Sequence, residues 1–247
     1  MALATLDKIP FLHQGQMWFG LLLAVVISMF CAYLMALLLF NGNHLDGAFL
    51  GLVTLAMAII AERFFGHWRY VGGENGLYDI PGLSLTWLPS VDSLSETALY
   101  YVNLMASILI ACGLYAIKYS RYGLFIKVTR QNEYRANHLG IHTIRIKVQM
   151  FVLAAGIAAL SGALFVSQFY FVSPDLVGFS LSTQVLIWTA VGGRYSFTAA
   201  FFGAITVRLL ENYLGDYLGH YWLLSLGVIF IIVVIFLPKG LFGHWVR

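Results

Sequence analysis

His138 and His142 are four residues apart, a spacing that puts two imidazoles on one helical face, where they can share a metal ion. A metal centre needs further ligands, yet the other histidines, at 13, 44, 67, 220 and 244, stand singly. Gly140 between the pair weakens a helix there, so a solvated loop face explains the two residues better than a metal-dependent membrane oxidoreductase does. Arg208 and Glu211, three apart, can pair along one helix; they either line a polar pathway or snorkel toward a membrane boundary. Glu133, Ala136 and Gly140 fall at i, i+3 and i+7. A helix from about Thr129 to Leu139 would present a carboxylate, a methyl and a turn-permitting glycine to a docking partner, the alternative being a solvated basic loop. The chain holds neither a G-x-x-x-x-G-K-[ST] phosphate loop nor a G-x-S-x-G nucleophile elbow, so it is not expected to be an enzyme. Any ATP hydrolysis driving it belongs to another polypeptide.

The elements that position these residues are set by composition. Of 247 residues, 60% are hydrophobic and 10% charged, and the mean hydropathy is +0.83, which places the chain in a bilayer. The net charge of +3 is small and its basic residues are clustered, so it speaks to topology and not to nucleic acid. Cys31 and Cys112 sit in apolar runs without metal-ligand spacing and read as small packing residues.

A spanning helix needs about 20 apolar residues. Seven stretches qualify or nearly so: Trp18 to Phe40, Gly47 to Phe65, Ala98 to Ile117, Val148 to Phe171, Leu181 to Val191, Phe197 to Tyr213 and Tyr221 to Leu237, the fifth being short. The expected fold is an all-α polytopic transmembrane helix bundle of about seven spans, forming one domain over residues 1–247, in contact with membrane lipid. The first span, preceded by Asp7 and Lys8, reads as mature structure and not as a signal peptide.

Residues Lys118 to Lys147 hold seven of the fourteen Lys and Arg residues and a single acid, Glu133, which puts this loop on the cytoplasmic side. Alternating outward makes the turn Gly192 to Ser196 and the C-terminal tail cytoplasmic as well, with ten of the fourteen basic residues inside. The largest outer segment, Arg69 to Glu96, is interrupted by Gly72, Gly73, Gly76, Pro81, Gly82 and Pro89 and should form turns or short helical pieces. Small residues mark helix contacts in a bilayer; Gly47 with Gly51, and Ala155, Ala159 and Ala163 beside Gly156 and Gly162, read as seams within one subunit.

Several runs, in order, resemble the branched-chain amino acid ABC transporter permeases. Arg130-Gln-Asn-Glu-Tyr-Arg-Ala-Asn-His-Leu-Gly140 is similar to the family's Glu-x-x-Ala-x-x-x-Gly loop. Gly72-Gly-Glu-Asn-Gly-Leu77 resembles its Gly-Gly-x-Asn-Gly-Leu signature, and Leu45 to Ala56 its segment ahead of the outer loop. Phe171-Val-Ser-Pro174, Val191-Gly-Gly193 and Phe236-Leu-Pro-Lys-Gly-Leu241 also match, so the resemblance covers about residues 45 to 243. Ile187 to Arg194 is similar to the version found in a sister group that carries urea and short amides.

The resemblance implies a plasma-membrane permease subunit that pairs with a second permease, receives solute from an extracytoplasmic binding protein and docks on cytoplasmic ATP-binding cassette subunits through Glu133, Ala136 and Gly140. ATP and Mg would be held by that partner, with no cofactor or metal in this chain. Asn75 and the glycines at 72, 73 and 76 are the candidates for the outer mouth of the pathway, or for an ordered turn beneath the binding protein. Family members usually carry further N-terminal spans ahead of Trp18, which implies either a shortened form or helices supplied by another polypeptide, with an assembly role as a third reading.

Overall fold

The computed structural model describes residues 17–40, 48–69, 72–78, 80, 95–193 and 196–218, with isolated positions between 224 and 241. These fall in two compact units, residues 1–174 and 175–247.

In the first unit, α1 (Met17–Phe40), α2 (Ala48–His67), α3 (Glu96–Tyr119) and α6 (Thr143–Phe169) are long and apolar enough to cross a membrane. Large apolar side chains such as Leu22, Phe30, Ile60 and Leu109 are exposed along them, as lipid-facing surfaces require. Cys31 and Cys112 are exposed too, which corrects their reading as packing residues.

The main seam joins α1 to α6. Ala32, Ala36 and Leu39 are buried on α1, and Ser28 Oγ donates to the Ala155 carbonyl at 3.4 Å. A Cβ built on Gly156 would sit 3.1 Å from the Met29 side chain, so the missing side chain is what admits Met29. Part of the Ala155 stripe is therefore an intrasubunit seam, while Gly162 and Gly51 face open space. Asn103 Nδ2 on α3 donates to Gln168 Oε1 on α6 at 3.2 Å, a polar tie between two spans.

The expected basic loop is mostly helical. After α3, Ser120 caps α4 (Arg121–Gln131) by accepting from the Gly123 amide at 3.3 Å. Gly123 lets the chain turn tightly, since a Cβ there would lie 2.6 Å from the Ile117 carbonyl oxygen. A second short helix, α5 (Glu133–His138), precedes α6.

At the other end of α6, Tyr170 takes a left-handed conformation (φ 54°) and leads into β2 (Phe171–Val172). This strand pairs antiparallel with β1 (Leu77–Tyr78), which follows α2, so the segments after α2 and after α6 lie together.

The second unit contains α7 (Phe179–Gly192) and α8 (Phe197–Leu218). At 14 residues α7 is about 21 Å long, short of the roughly 30 Å hydrocarbon core. The pair approaches closely at Gly192 and Gly203, where a Cβ on either would overlap the other's backbone. Ile187, Val191, Val207 and Val233 form the core beside them. The expected seventh span lies largely outside the described residues; Leu224, Gly227, Val228, Ile231, Val233, Ile235 and Phe236 within it are helical. Pro81, Gly82, Pro89, Gly47, Arg194 and Lys239 also lie outside.

Candidate functional site

Three places gather the residues singled out by spacing. The first is the elbow of α4 and α5 at the foot of α6. Asn132 is extended (φ −160°), and its Oδ1 accepts from the Arg135 amide at 3.0 Å, so it ends one helix and starts the next. The single helix expected over 129–139 is thereby corrected to two, because Asn132 competes for the backbone as a cap.

The break turns Glu133 and Ala136 toward α6. Ala136 is 0% exposed and Glu133 is half-buried, with its Oε2 2.6 Å from Lys147 Nζ. Thr143, also 0% exposed, donates from Oγ1 to Asn137 Oδ1 at 2.8 Å, with Glu133 Oε1 a second acceptor 3.2 Å away. Tyr122 on α4 donates to Gln149 Oε1 on α6 at 2.6 Å, and burial pushes its phenol pKa up, which keeps the donor protonated. Of the three residues expected on an outward face, only Gly140 (φ +78°) is exposed. The outward surface is instead Tyr134, Arg135, His138 and Leu139, with Tyr134 and His138 rings 4.3 Å apart. His142 stands alone at the start of α6, and among the described residues no three His, Cys, Asp or Glu side chains group as metal ligands.

The second place is the turn after α2. Gly72, Gly73 and Gly76 all have positive φ (88°, 59° and 73°), conformations glycine adopts without steric cost. Gly73 to Asn75 form one turn of 3-10 helix, held to the residue just after α2 by the Gly73 amide donating to the Trp68 carbonyl at 3.2 Å. A Cβ on Gly76 would overlap the Val172 carbonyl oxygen, so this glycine is what lets β1 close on β2. The Tyr78 and Phe171 rings pack at a tilt across the pair, with centroids 4.6 Å apart, and Asn75 remains exposed. The glycine-rich signature is thus an ordered turn.

The third is a groove of about 770 Å³ in the second unit, lined by Trp188 of α7 and by Ala204, Ile205, Arg208, Leu209, Glu211, Asn212 and Gly215 of α8. Arg208 is 62% and Glu211 13% exposed at the side chain, and Arg208 Nη1 donates to Glu211 Oε2 at 2.9 Å. The guanidinium also lies 5.6 Å from the Trp188 ring centroid. The indole Nε1 is buried without an acceptor among the described residues, which costs about 1–3 kcal/mol. Placing Arg at the centre of a span costs about 2.5–3.5 kcal/mol, while an i, i+3 pair returns about 0.2–0.5. Trp188, Asn212 and Gly215 were not singled out by sequence, although Arg208, Asn212 and Gly215 follow the i, i+4, i+7 spacing of one helical face.

A family model described as branched-chain amino acid transport system / permease component matches residues 1–237. LivH of Escherichia coli, a high-affinity branched-chain amino acid transport system permease protein, is 30% identical over 129 residues, 52% of this chain and 42% of its own length. LsrC of Escherichia coli, an autoinducer 2 import system permease protein, is 29% identical over 188 residues, 68% of this chain and 54% of its own. BraD of Pseudomonas aeruginosa, another high-affinity branched-chain amino acid transport system permease protein, is 26% identical over 130 residues, with 52% and 42% covered. The chain spans about half the length of the curated relatives it matches. No solved structure matches it. With the family match running from residue 1 to 237 over an all-α membrane fold, the chain belongs to the permease-component family of branched-chain amino acid transport systems and is a multi-pass protein of the plasma membrane.

Proposed function

We propose that the chain is a permease subunit of an ATP-driven importer for branched-chain amino acids, its two units acting as one transmembrane domain. The observation that carries this reading is the clasped elbow: a basic, water-compatible pair of helices, α4 and α5, fixed by Glu133, Asn137, Thr143 and Lys147 to the longest span. A separate ATPase can act on the membrane only through a rigid element outside it, and this segment supplies one. Glu133 and Ala136 hold its shape, and Tyr134, Arg135, His138, Leu139 and Gly140 meet the ATP-binding cassette subunit, which holds ATP and Mg. The elbow and the C-terminus are cytoplasmic, as the basic residues of Lys118 to Lys147 support. The turn at Gly72, Gly73, Asn75 and Gly76 lies at the outer mouth, beneath a solute-binding protein, and a second permease completes the pathway.

The test is uptake of radiolabelled L-leucine in a strain lacking other leucine carriers and bearing the complete native system. Uptake lost on deleting this chain and restored by supplying it supports the reading. A second reading, import of an autoinducer 2-type solute, is favoured by the likeness to LsrC, which extends over more of the chain than that to LivH. Uptake of autoinducer 2 in place of leucine selects it.

A further inference from the structure

Arg208 is the twelfth residue of the 22-residue α8, about 17 Å along the helix and within the stretch Phe197 to Tyr213 expected from the sequence to span. A charged pair inside a span faces protein or an aqueous cavity, not lipid tails. Here it faces the groove. The guanidinium has five N–H donors, and one is committed to Glu211 Oε2 among the described residues, which leaves the others and Glu211 Oε1 for a second partner. Asn212 lines the groove together with Glu211, and Gly215, with nothing within 4 Å of a built Cβ, leaves room further along. Ile205 and Leu209 present exposed apolar surface at the rim.

This arrangement selects against a solute with one charge. Joining a lone anion or cation to a pair that is already neutral leaves a net charge in a low-dielectric setting. An α-amino acid zwitterion adds both charges on groups that share one carbon and leaves none in excess. A neutral solute would make no use of the separated charges.

We propose that the groove between α7 and α8 recognises an α-amino acid zwitterion with an apolar side chain: Arg208 takes the carboxylate, Glu211 and Asn212 take the ammonium, and Ile205 and Leu209 cover the aliphatic part. The assignment rests on the importer reading above and adds to it a place in the chain where solute is held.

The test uses the complete native system in cells and the purified full chain in lipid nanodiscs. Arg208→Gln, Glu211→Gln and Gly215→Leu each lower L-leucine uptake by about tenfold or more, as loss of a charge-assisted contact or a filled groove predicts, while membrane level and copurification of the partner subunits stay unchanged. Gly215→Leu adds bulk where space is open, so it retains the fold and leaves the ion pair intact. In nanodiscs, millimolar L-leucine protects the chain from thermal unfolding, and isocaproate and isoamylamine, each lacking one charge, do not. Uptake retained in Arg208→Gln and Gly215→Leu overturns the proposal, as does its loss together with the partner subunits, which marks a structural pair. Equal protection by all three compounds, or by none, also overturns it. If the unaltered system takes up no leucine, the importer reading itself fails; if it does and only the variants behave as wild type, the groove alone is wrong.

Discussion

Glu133 Oε2 and Lys147 Nζ lie 2.6 Å apart across fourteen residues of sequence, which closes α5 against the N-terminal end of α6. Both side chains are about a third exposed, so the pair is worth about 1 kcal/mol or less to stability and matters chiefly for where it holds the elbow. Glu133→Lys should put two cations in contact and reduce recovery of the ATPase partner in a detergent pull-down several-fold, with membrane insertion intact. Combining it with Lys147→Glu should restore recovery, and Gly140→Leu should deepen the loss. Unchanged recovery in Glu133→Lys would remove the elbow from the contact.

Gly76 and Gly140 offer a matched comparison. Both have positive φ, at 73° and 78°, but a Cβ on Gly76 meets the Val172 backbone and one on Gly140 meets nothing within 4 Å. Gly140→Ala should cost about 1 kcal/mol of backbone strain, and Gly76→Ala at least about twice that, through lost β1–β2 pairing. Thermal unfolding in detergent, monitored by tryptophan fluorescence, gives the order; equal melting temperatures would contradict the geometry.

Gly203 and Gly215 make the same contrast on one helix. Gly203→Val forces α7 and α8 apart at Gly192, and should raise protease sensitivity of the second unit, whereas Gly215→Ala meets open space and should leave it unchanged or slightly stabilised. Limited proteolysis of membranes distinguishes them.

The Tyr122 phenol carries a pH signature. Its pKa is raised by burial above the ordinary value of about 10, so the stability of keeping the buried phenol protonated is fully present below about pH 10 and lost as pH rises through the raised value. Tyr122→Phe should cost about 0.5–1.5 kcal/mol at neutral pH and remove that part of the alkaline destabilisation. A thermal-unfolding series from about pH 8 upward reads it.

Hydropathy alone located α1, α2, α3 and α6 to within a few residues, because runs of apolar side chains about 20 long have few alternatives. The start of α6 was missed by five residues, since Thr143 to Lys147 mixes polar and apolar positions and its helicity rests on packing against α5. Asn132 was a legible cap signal, standing ahead of Glu133, but a helical pattern that continues through it conceals the break. The inward turn of Glu133 and Ala136 was not legible: it depends on Thr143 and Lys147, ten and fourteen residues from Glu133, which no local period relates to it. In the groove, the Arg208 and Glu211 pairing followed from spacing, while Trp188 entered only through the Gly192 and Gly203 approach that brings α7 against α8.

The 27 residues of α6 form a rod about 40 Å long whose two ends are both tied down. One end carries the Glu133 clasp, and the other runs through Tyr170 into the register Phe171 with Tyr78 and Val172 with Leu77. Sliding such a rod by one residue would break that register and turn every strand side chain to the opposite face. The elbow and the glycine turn beside α2 are thereby fastened to opposite ends of one continuous helix, like the two fittings of a single strut.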